Sequence, residues 1–304
     1  RSFISRPKFM KILVLGSKGQ LGQCCYDQLE NTDHEVIYTS RDQIDVTDFD
    51  QTSRQILKIV PDVVINATAY TAVDKAENDR EKAEEINHLA VENIANVCAL
   101  LGNWLIHFST DYVFDGQSKL PYKEDDSTNP QGVYGVTKLN GELAIRSSGC
   151  KFLIIRTAWI FSEYGNNFLR TMLRLGSESD KLHIVSDQIG CPTYAQDIAR
   201  SIVKIIPQLK LKKEGDLYHY CGKQSCSWHE FALAIFEKAK ACNLKIPRTI
   251  NPIETSAYPT PAKRPAFSVL ECSKIESDFG VTRSNWMDGI QRVLDVFDPQ
   301  KAVR

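Results

Sequence analysis

The chain of 304 residues is 42% hydrophobic and 25% charged, a balance that excludes a disordered, collagen-like or fibrous protein. Its 37 Lys and Arg against 38 Asp and Glu give a net charge of -1, so no basic surplus points to nucleic acid or an anionic membrane. No apolar run reaches the ~18 residues of a membrane span, and at roughly 150 residues per domain the length suits about two domains.

Residues 1–9 are basic but broken by Ser, Arg and Pro, without the apolar stretch of a secretory signal. They are expected to be a leader or an appended remnant ahead of Met10. From there the pattern is regular. Strands are expected at Lys11–Leu15, Glu35–Thr39, Asp62–Asn66, Trp104–Phe108 and Phe152–Arg156. Helices are expected over about 20–30, over 48–60 with Pro61 closing it, and over 79–101, where Ala83, Ile86, Leu89, Ala90, Ile94, Val97 and Leu101 recur near every 3.6 residues. Helices alternating with almost wholly apolar strands predict an α/β fold with a doubly wound, Rossmann-type parallel sheet covered on both faces. After about residue 160 the pattern loosens and prolines crowd in at 247, 252, 259, 261 and 265, leaving helices at 195–206 and 227–242 in a smaller α+β part.

The nine cysteines show no CxxC spacing, and Cys24 and Cys25 are adjacent. They are expected to be reduced thiols of a cytoplasmic protein, mostly small core residues without a chemical role.

Gly16, Gly19 and Gly22 lie in GSKGQLG, directly after the first strand and opening the first helix. A phosphate needs bare backbone N–H groups at a helix N-terminus, and glycine lets the chain turn tightly and come close. The spacing is GxxGxxG rather than GxGxxG, so the strand–turn–helix context carries the reading, with a mere tight turn as the alternative. At the end of the second strand an acidic residue would hold the ribose 2′-hydroxyl of NAD, whereas Ser40 and Arg41 stand there and favour the 2′-phosphate of NADPH. A solvated surface arginine is the competing reading for Arg41. Asp45 and Val46 follow and are expected near the adenine. Ala67, Thr68 and Ala69 put small side chains at the end of the third strand, where a cofactor would lie. Residues 10–160 are therefore expected to form an NAD(P)-binding domain carrying the catalytic helix. Residues 161–304 are expected to be mainly a substrate-binding cap, with some segments returning to the first domain.

Tyr134 and Lys138 form a YxxxK pair on one face of a predicted helix. A phenol has a pKa of about 10, and a nearby ammonium stabilises the phenolate and makes Tyr a usable acid. Ser109 and Thr110 follow the fourth strand, at the sheet edge where such folds place ligands, and a hydroxyl there can bond a substrate carbonyl as hydride arrives. Read alone, these two would be a turn or a helix cap.

Longer strings narrow the reading. They are NATAYTAVDKAE at 66–77, STDYVF at 109–114, YGVTKLNGE at 134–142, RTAWIF at 156–161, GNNF at 165–168, DQIGCPT at 187–193 and AYPTPAKRP at 257–265. From Met10 to about Val293 the chain resembles the dTDP-4-dehydrorhamnose reductase family of extended short-chain dehydrogenases/reductases. The resemblance implies an NADPH-dependent oxidoreductase, with NADH as an alternative donor, that makes dTDP-L-rhamnose for cell-surface polysaccharide such as the lipopolysaccharide O antigen. It implies that Gly19, Gln20 and Leu21, with Gly16 and Gly22, contact the cofactor pyrophosphate, that Asp45 and Val46 flank the adenine, and that Ala67, Thr68, Ala69 and Phe108 line the groove. Tyr134 would be the proton donor, Lys138 its partner and a cofactor contact, and Thr110 the substrate-side hydroxyl with Asp111 beside it. Trp159 would pack on the nucleotide-sugar, with a core aromatic as the alternative, and Arg264 would hold its pyrophosphate, with a salt bridge as the alternative.

Some relatives are magnesium-linked dimers with a carboxylate early in the first helix. Here that stretch reads GQCCYD, so no metal is assigned and a monomer or weak homodimer is expected, with a dTDP-sugar as partner and neither nucleic acid nor membrane. Two other readings stand beside this one: a non-catalytic regulatory subunit like the methionine adenosyltransferase beta subunit, and another nucleotide-sugar reductase or epimerase.

Overall fold

The computed structural model describes residues 9–298, so all of the expected leader except Phe9 lies outside the described residues. Elements run β1 (Lys11–Leu15), α1 (Gln20–Leu29), β2 (Glu35–Thr39), α2 (Phe49–Ile59), β3 (Val63–Asn66), α3 (Val73–Ala76), α4 (Arg80–Glu84), α5 (Ala90–Leu101), β4 (Trp104–Thr110), α6 (Val133–Ser147) and β5 (Lys151–Thr157). Then come β6 (Ile160–Phe161), α7 (Phe168–Glu178), β7 (Lys181–Val185), β8 (Ile189–Gly190), β9 (Thr193–Tyr194), α8 (Ala195–Ile205), β10 (Asp216–His219), β11 (Cys226–Ser227), α9 (Trp228–Ala241), β12 (Thr249–Ile253), α10 (Ser273–Phe279) and α11 (Trp286–Asp295).

Six strands pair in the order β10-β5-β4-β3-β1-β2, every pairing parallel. Their apolar side chains feed two cores. Ile12, Val14, Ile65 and Ile106 face α1 and α8, while Leu13, Leu15, Val64 and Leu105 face α2 and α5. This two-sided burial explains why the strands read as unbroken apolar runs. The chain turns from β2 back across β1 to β3, so the β1/β3 boundary is the switch point beyond whose carboxyl ends such sheets hold ligands.

The helix expected over 79–101 is interrupted. Residues Glu85–Leu89 form a π turn between α4 and α5. Asn87 there accepts from the Tyr70 backbone N–H at 2.9 Å and donates to the Tyr70 carbonyl at 3.1 Å, so the widened turn is fixed by a side chain that clamps the loop after β3. Beyond residue 160 the structure adds α7, α10 and α11 to the two expected helices. A third core packs Phe161, Leu169, Met172, Phe231, Ile235 and Trp286 together. β10 returns to the edge of the main sheet and α8 packs on its face.

Candidate active site

The glycine turn is tied to the end of β2, with the N–H groups of Gly16 and Ser17 both donating to the Thr39 carbonyl at 2.9 Å. Gly16 has φ 81, in the left-handed region. A Cβ on Gly22 would sit 2.2 Å from the Gly16 carbonyl oxygen, so α1 can approach the turn this closely only with glycine there. The N–H groups of Gln20, Leu21 and Gly22 lie in the first turn of α1, where the helix supplies no acceptor. Leu21 can offer only that backbone, because its side chain is buried in the core.

Gly16, Gly19, Asp45, Val46, Thr68 and Ala69 line a cavity of about 240 Å³, together with Arg41 and Ala67. Arg41 reaches Asp45 at 3.1 Å, and Lys18, which sequence reasoning passed over, reaches Asp42 at 2.7 Å. Both cations are largely exposed at the mouth. Ser40 is set apart: it is buried, and its hydroxyl lies 3.3 Å from the Gln43 side-chain oxygen Oε1, which also accepts the Ser40 N–H. The free amides, small walls and two cations fit a dinucleotide that bears a 2′-phosphate.

Magnesium does not fit the start of α1. Cys24 and Cys25 are buried thiols that burial pushes up, Cys25 to about 12, and a neutral thiol is no ligand for a hard cation. Asp27 is already engaged, accepting from Tyr164 at 2.8 Å and from Gln196 at 2.5 Å. Among the described residues no cluster of three or more His, Cys, Asp or Glu could hold a metal.

At the end of β4 the chain leaves the sheet into a short 3-10 turn, Asp111–Val113. The Thr110 hydroxyl caps it, accepting from the Tyr112 N–H at 3.2 Å and donating to Asp111 at 3.1 Å. Asp111 is buried, and its Oδ2 has no hydrogen-bond partner among the described residues. Burial raises its carboxyl to about 6, only partly offset by the Ser268 and Thr110 hydroxyls. Tyr134, in the first turn of α6, stands edge-on to Tyr112 with ring centres 5.5 Å apart. Burial pushes its phenol up to about 12, and the Thr110 hydroxyl pulls the other way. Lys138, one turn on, is fully buried and donates to the Phe108 carbonyl at 2.6 Å. Phe108 thus contributes its backbone, while its ring is buried in the core. Burial lowers Lys138 to about 8 against the pull of Glu142.

Ser109 does not stand beside Thr110 as expected. Successive strand residues face opposite sides, and its hydroxyl donates to Glu142 inside the sheet–helix interface. Glu142 is gripped by Arg156 through two bonds of 2.9 and 2.7 Å. This buried fork, invisible in the sequence as a pair, ties α6 to β4 and β5.

A second cavity of about 470 Å³ is lined by Tyr112, Phe168, Gln188, Trp228, Tyr258 and Arg264 among others. Its indole is Trp228 rather than Trp159. Trp159 sits behind, half-buried, with its ring stacked on Trp228 at 3.4 Å and 6° and its backbone at φ 48. Trp228 therefore covers the face that Trp159 was expected to offer. Arg264 lines the cavity and is salt-bridged, with bonds of 3.0 and 2.7 Å to Asp74. Asp74 lies within the AYTAVDKAE string, and nothing in its spacing announced a partner 190 residues away.

The RmlD substrate binding domain family matches residues 10–298. The dTDP-4-dehydrorhamnose reductase of Aggregatibacter actinomycetemcomitans is 40% identical over 93% of this chain and 98% of its own. Among solved structures, a dTDP-4-dehydrorhamnose reductase of Clostridium acetobutylicum superposes with a TM-score of 0.88 at 38% identity, covering 94% of this chain and 99% of that one. The Bacillus anthracis enzyme in complex with NADP also gives 0.88, at 32% identity over 95% of this chain and 100% of that one. The chain belongs to the family of the RmlD substrate binding domain and is a relative of the dTDP-4-dehydrorhamnose reductases.

Proposed function

We propose that this chain is an NADPH-dependent oxidoreductase that reduces the C4 ketone of dTDP-4-dehydrorhamnose to give dTDP-L-rhamnose. The observation that carries the reading is the Thr110 hydroxyl at the carboxyl end of β4 set against the Tyr134 phenol of α6, with Lys138 one turn on bonded to the Phe108 carbonyl and Tyr112 joining Tyr134 to the aromatic cavity. NADPH, when bound, supplies the hydride. Tyr134 gives its phenolic proton to the oxygen that gains charge as the ketone is reduced. Thr110 orients that oxygen, exchanging the bond it now donates to Asp111 for one to substrate. Lys138 supplies the positive charge that stabilises the phenolate left behind. Trp228, backed by Trp159, offers a flat apolar wall to the nucleotide, and Arg264 a charge to its diphosphate.

The cysteines carry free thiols, all buried except Cys242, which suits a reducing compartment. No helix among the described residues is long and apolar enough to cross a membrane. We place the enzyme in the cytoplasm, as a monomer or weak homodimer feeding cell-surface polysaccharide synthesis. The test is NADPH oxidation by the purified protein with dTDP-4-dehydrorhamnose, with the sugar product identified by NMR. Turnover that falls by about 10²-fold or more in Tyr134→Phe is expected. No turnover, or equal turnover by wild type and variant, refutes the reading.

A further inference from the structure

A buried chain of polar groups runs from the cofactor cavity to the inner end of Lys138, and the mechanism above does not use it. Thr68, in the cavity wall, donates to Asn66 Oδ1 through its backbone N–H at 3.1 Å and its hydroxyl at 2.6 Å. Asn66 Nδ2 lies 3.2 Å from His107 Nδ1. His107 Nε2 lies 3.4 Å from Lys138 Nζ, which donates elsewhere to the Phe108 carbonyl. Asn66 and His107 are at most 1% exposed, so water cannot stand in for a missing partner.

Each link constrains the next. A backbone N–H can only donate, so the Asn66 atom that meets Thr68 is the oxygen. The amide nitrogen therefore faces His107 and can only donate, which makes Nδ1 an acceptor. A charged ring, with hydrogen on both nitrogens, would set a donor against a donor. A neutral ring with Nδ1 bare carries its hydrogen on Nε2, the atom that faces Lys138. An ammonium at Lys138 then meets a donor, whereas a neutral amine can accept from it.

We propose that His107 is a positioning residue, held by Thr68 and Asn66 as its Nε2–H form, that makes Lys138 a stronger acid than its burial alone would. The inference rests on the reductase reading for its consequence, not for its geometry. After Tyr134 has given its proton to the product alkoxide, Lys138 returns one to the phenolate. The amine so formed accepts the His107 Nε2–H bond, and once the product has left it regains its proton through Tyr134, which is only half-buried and takes the net proton from solvent. The other titratable or charged groups facing Lys138 are Tyr134 one turn back and Glu142 one turn on, while Asp111, beside Thr110, acts on Tyr134. Arg156 and Ser109 hold Glu142, so its charge is largely engaged.

Two measurements test this, and the first needs no substrate. Long-range ¹H–¹⁵N spectra of the labelled wild-type protein, with His107 assigned by its loss in His107→Gln or His107→Phe, should show hydrogen on Nε2 and a bare Nδ1 at neutral pH. A ring with hydrogen on Nδ1, or a charged ring, overturns the proposal. The second is the pH profile of kcat in His107→Gln, whose carbonyl can accept from the ammonium. Its basic limb should move up by about one pH unit, with KM for the sugar nucleotide little changed. A profile that superposes on that of the wild type overturns the proposal. Absence of turnover in the wild type defeats the reductase reading alone and leaves the spectra to decide.

Discussion

The fork between Glu142 and Arg156 is the test of how the catalytic helix is held. Both residues are at most 2% exposed, and Arg156 also lies 5.0 Å from the centre of the Phe114 ring. Glu142→Ala removes both acceptors of the guanidinium and the acceptor of Ser109, and leaves a buried cation unpaired. Breaking a buried pair from one side costs about 3–5 kcal/mol. With an unfolding entropy of about 2.1 cal/mol/K per residue, a chain of 304 residues loses about 1.6 °C per kcal/mol, so Tm should fall by about 5–8 °C. Thermal and urea unfolding at neutral pH measure the shift. Replacing both partners, with Glu142→Leu and Arg156→Met, should recover most of the loss, because the penalty lies in the orphaned charge rather than in the missing pair. A Glu142→Ala protein within about 1 kcal/mol of wild type, or a double variant no more stable than the single one, would refute this account.

Other outcomes follow from single contacts. Tyr134→Phe should lower kcat by about 10²–10⁴-fold, the range for a lost general acid, while urea unfolding stays unchanged. Gly22→Ala forces a Cβ to 2.2 Å from the Gly16 carbonyl, so fluorescence titration should show weakened NADPH binding together with an overpacking loss of about 1–3 kcal/mol. Arg41→Ala should reduce the preference of kcat/KM for NADPH over NADH by about 10-fold or more, the value of a charged hydrogen bond to the 2′-phosphate. The Asp111 carboxyl stands at about 6 when folded against an ordinary 3.8, so the folded state holds the extra proton in that window. Its contribution is present below pH 4 and lost as pH rises to about 6. Asp111→Asn should therefore flatten that part of the urea midpoint against pH.

What the sequence made legible was whatever rests on local pattern. The five core strands and the glycine turn are periodicity and backbone geometry, and each can be read within a dozen residues. The π turn at 85–89 escaped because its cause is one amide reaching Tyr70, a contact that leaves the apolar spacing intact. The edge strand β10 escaped for a related reason. Asp216–His219 is too short and mixed to stand out, and it belongs to the sheet only because β5 offers it an open edge. Trp159 stacks on Trp228, which lines the aromatic cavity in its place, and nothing near Trp159 in sequence reveals that partner 69 positions on. Ser109 and Glu142 were both present in quoted strings, and only the fold shows that one serves the other.

The charges of the two cavities follow the same logic. A net charge of -1 leaves no long-range field to draw in anionic ligands, so on the proposed reading a dinucleotide and a sugar diphosphate would be held by local cations. Each cation in place is already paired, Lys18 with Asp42, Arg41 with Asp45 and Arg264 with Asp74. A phosphate arriving at any of them exchanges one anionic partner for another rather than creating a new pair. The gain is then the difference between two ion pairs in partly exposed settings, smaller than a fresh contact would give. The carboxylates in return fix the guanidinium of Arg264 against the aromatic cavity before any ligand arrives, and so lower the ordering cost of binding. At the aromatic cavity, selectivity between ligands therefore rests on the geometry of the Arg264 fork and on the indole and phenol walls more than on net charge.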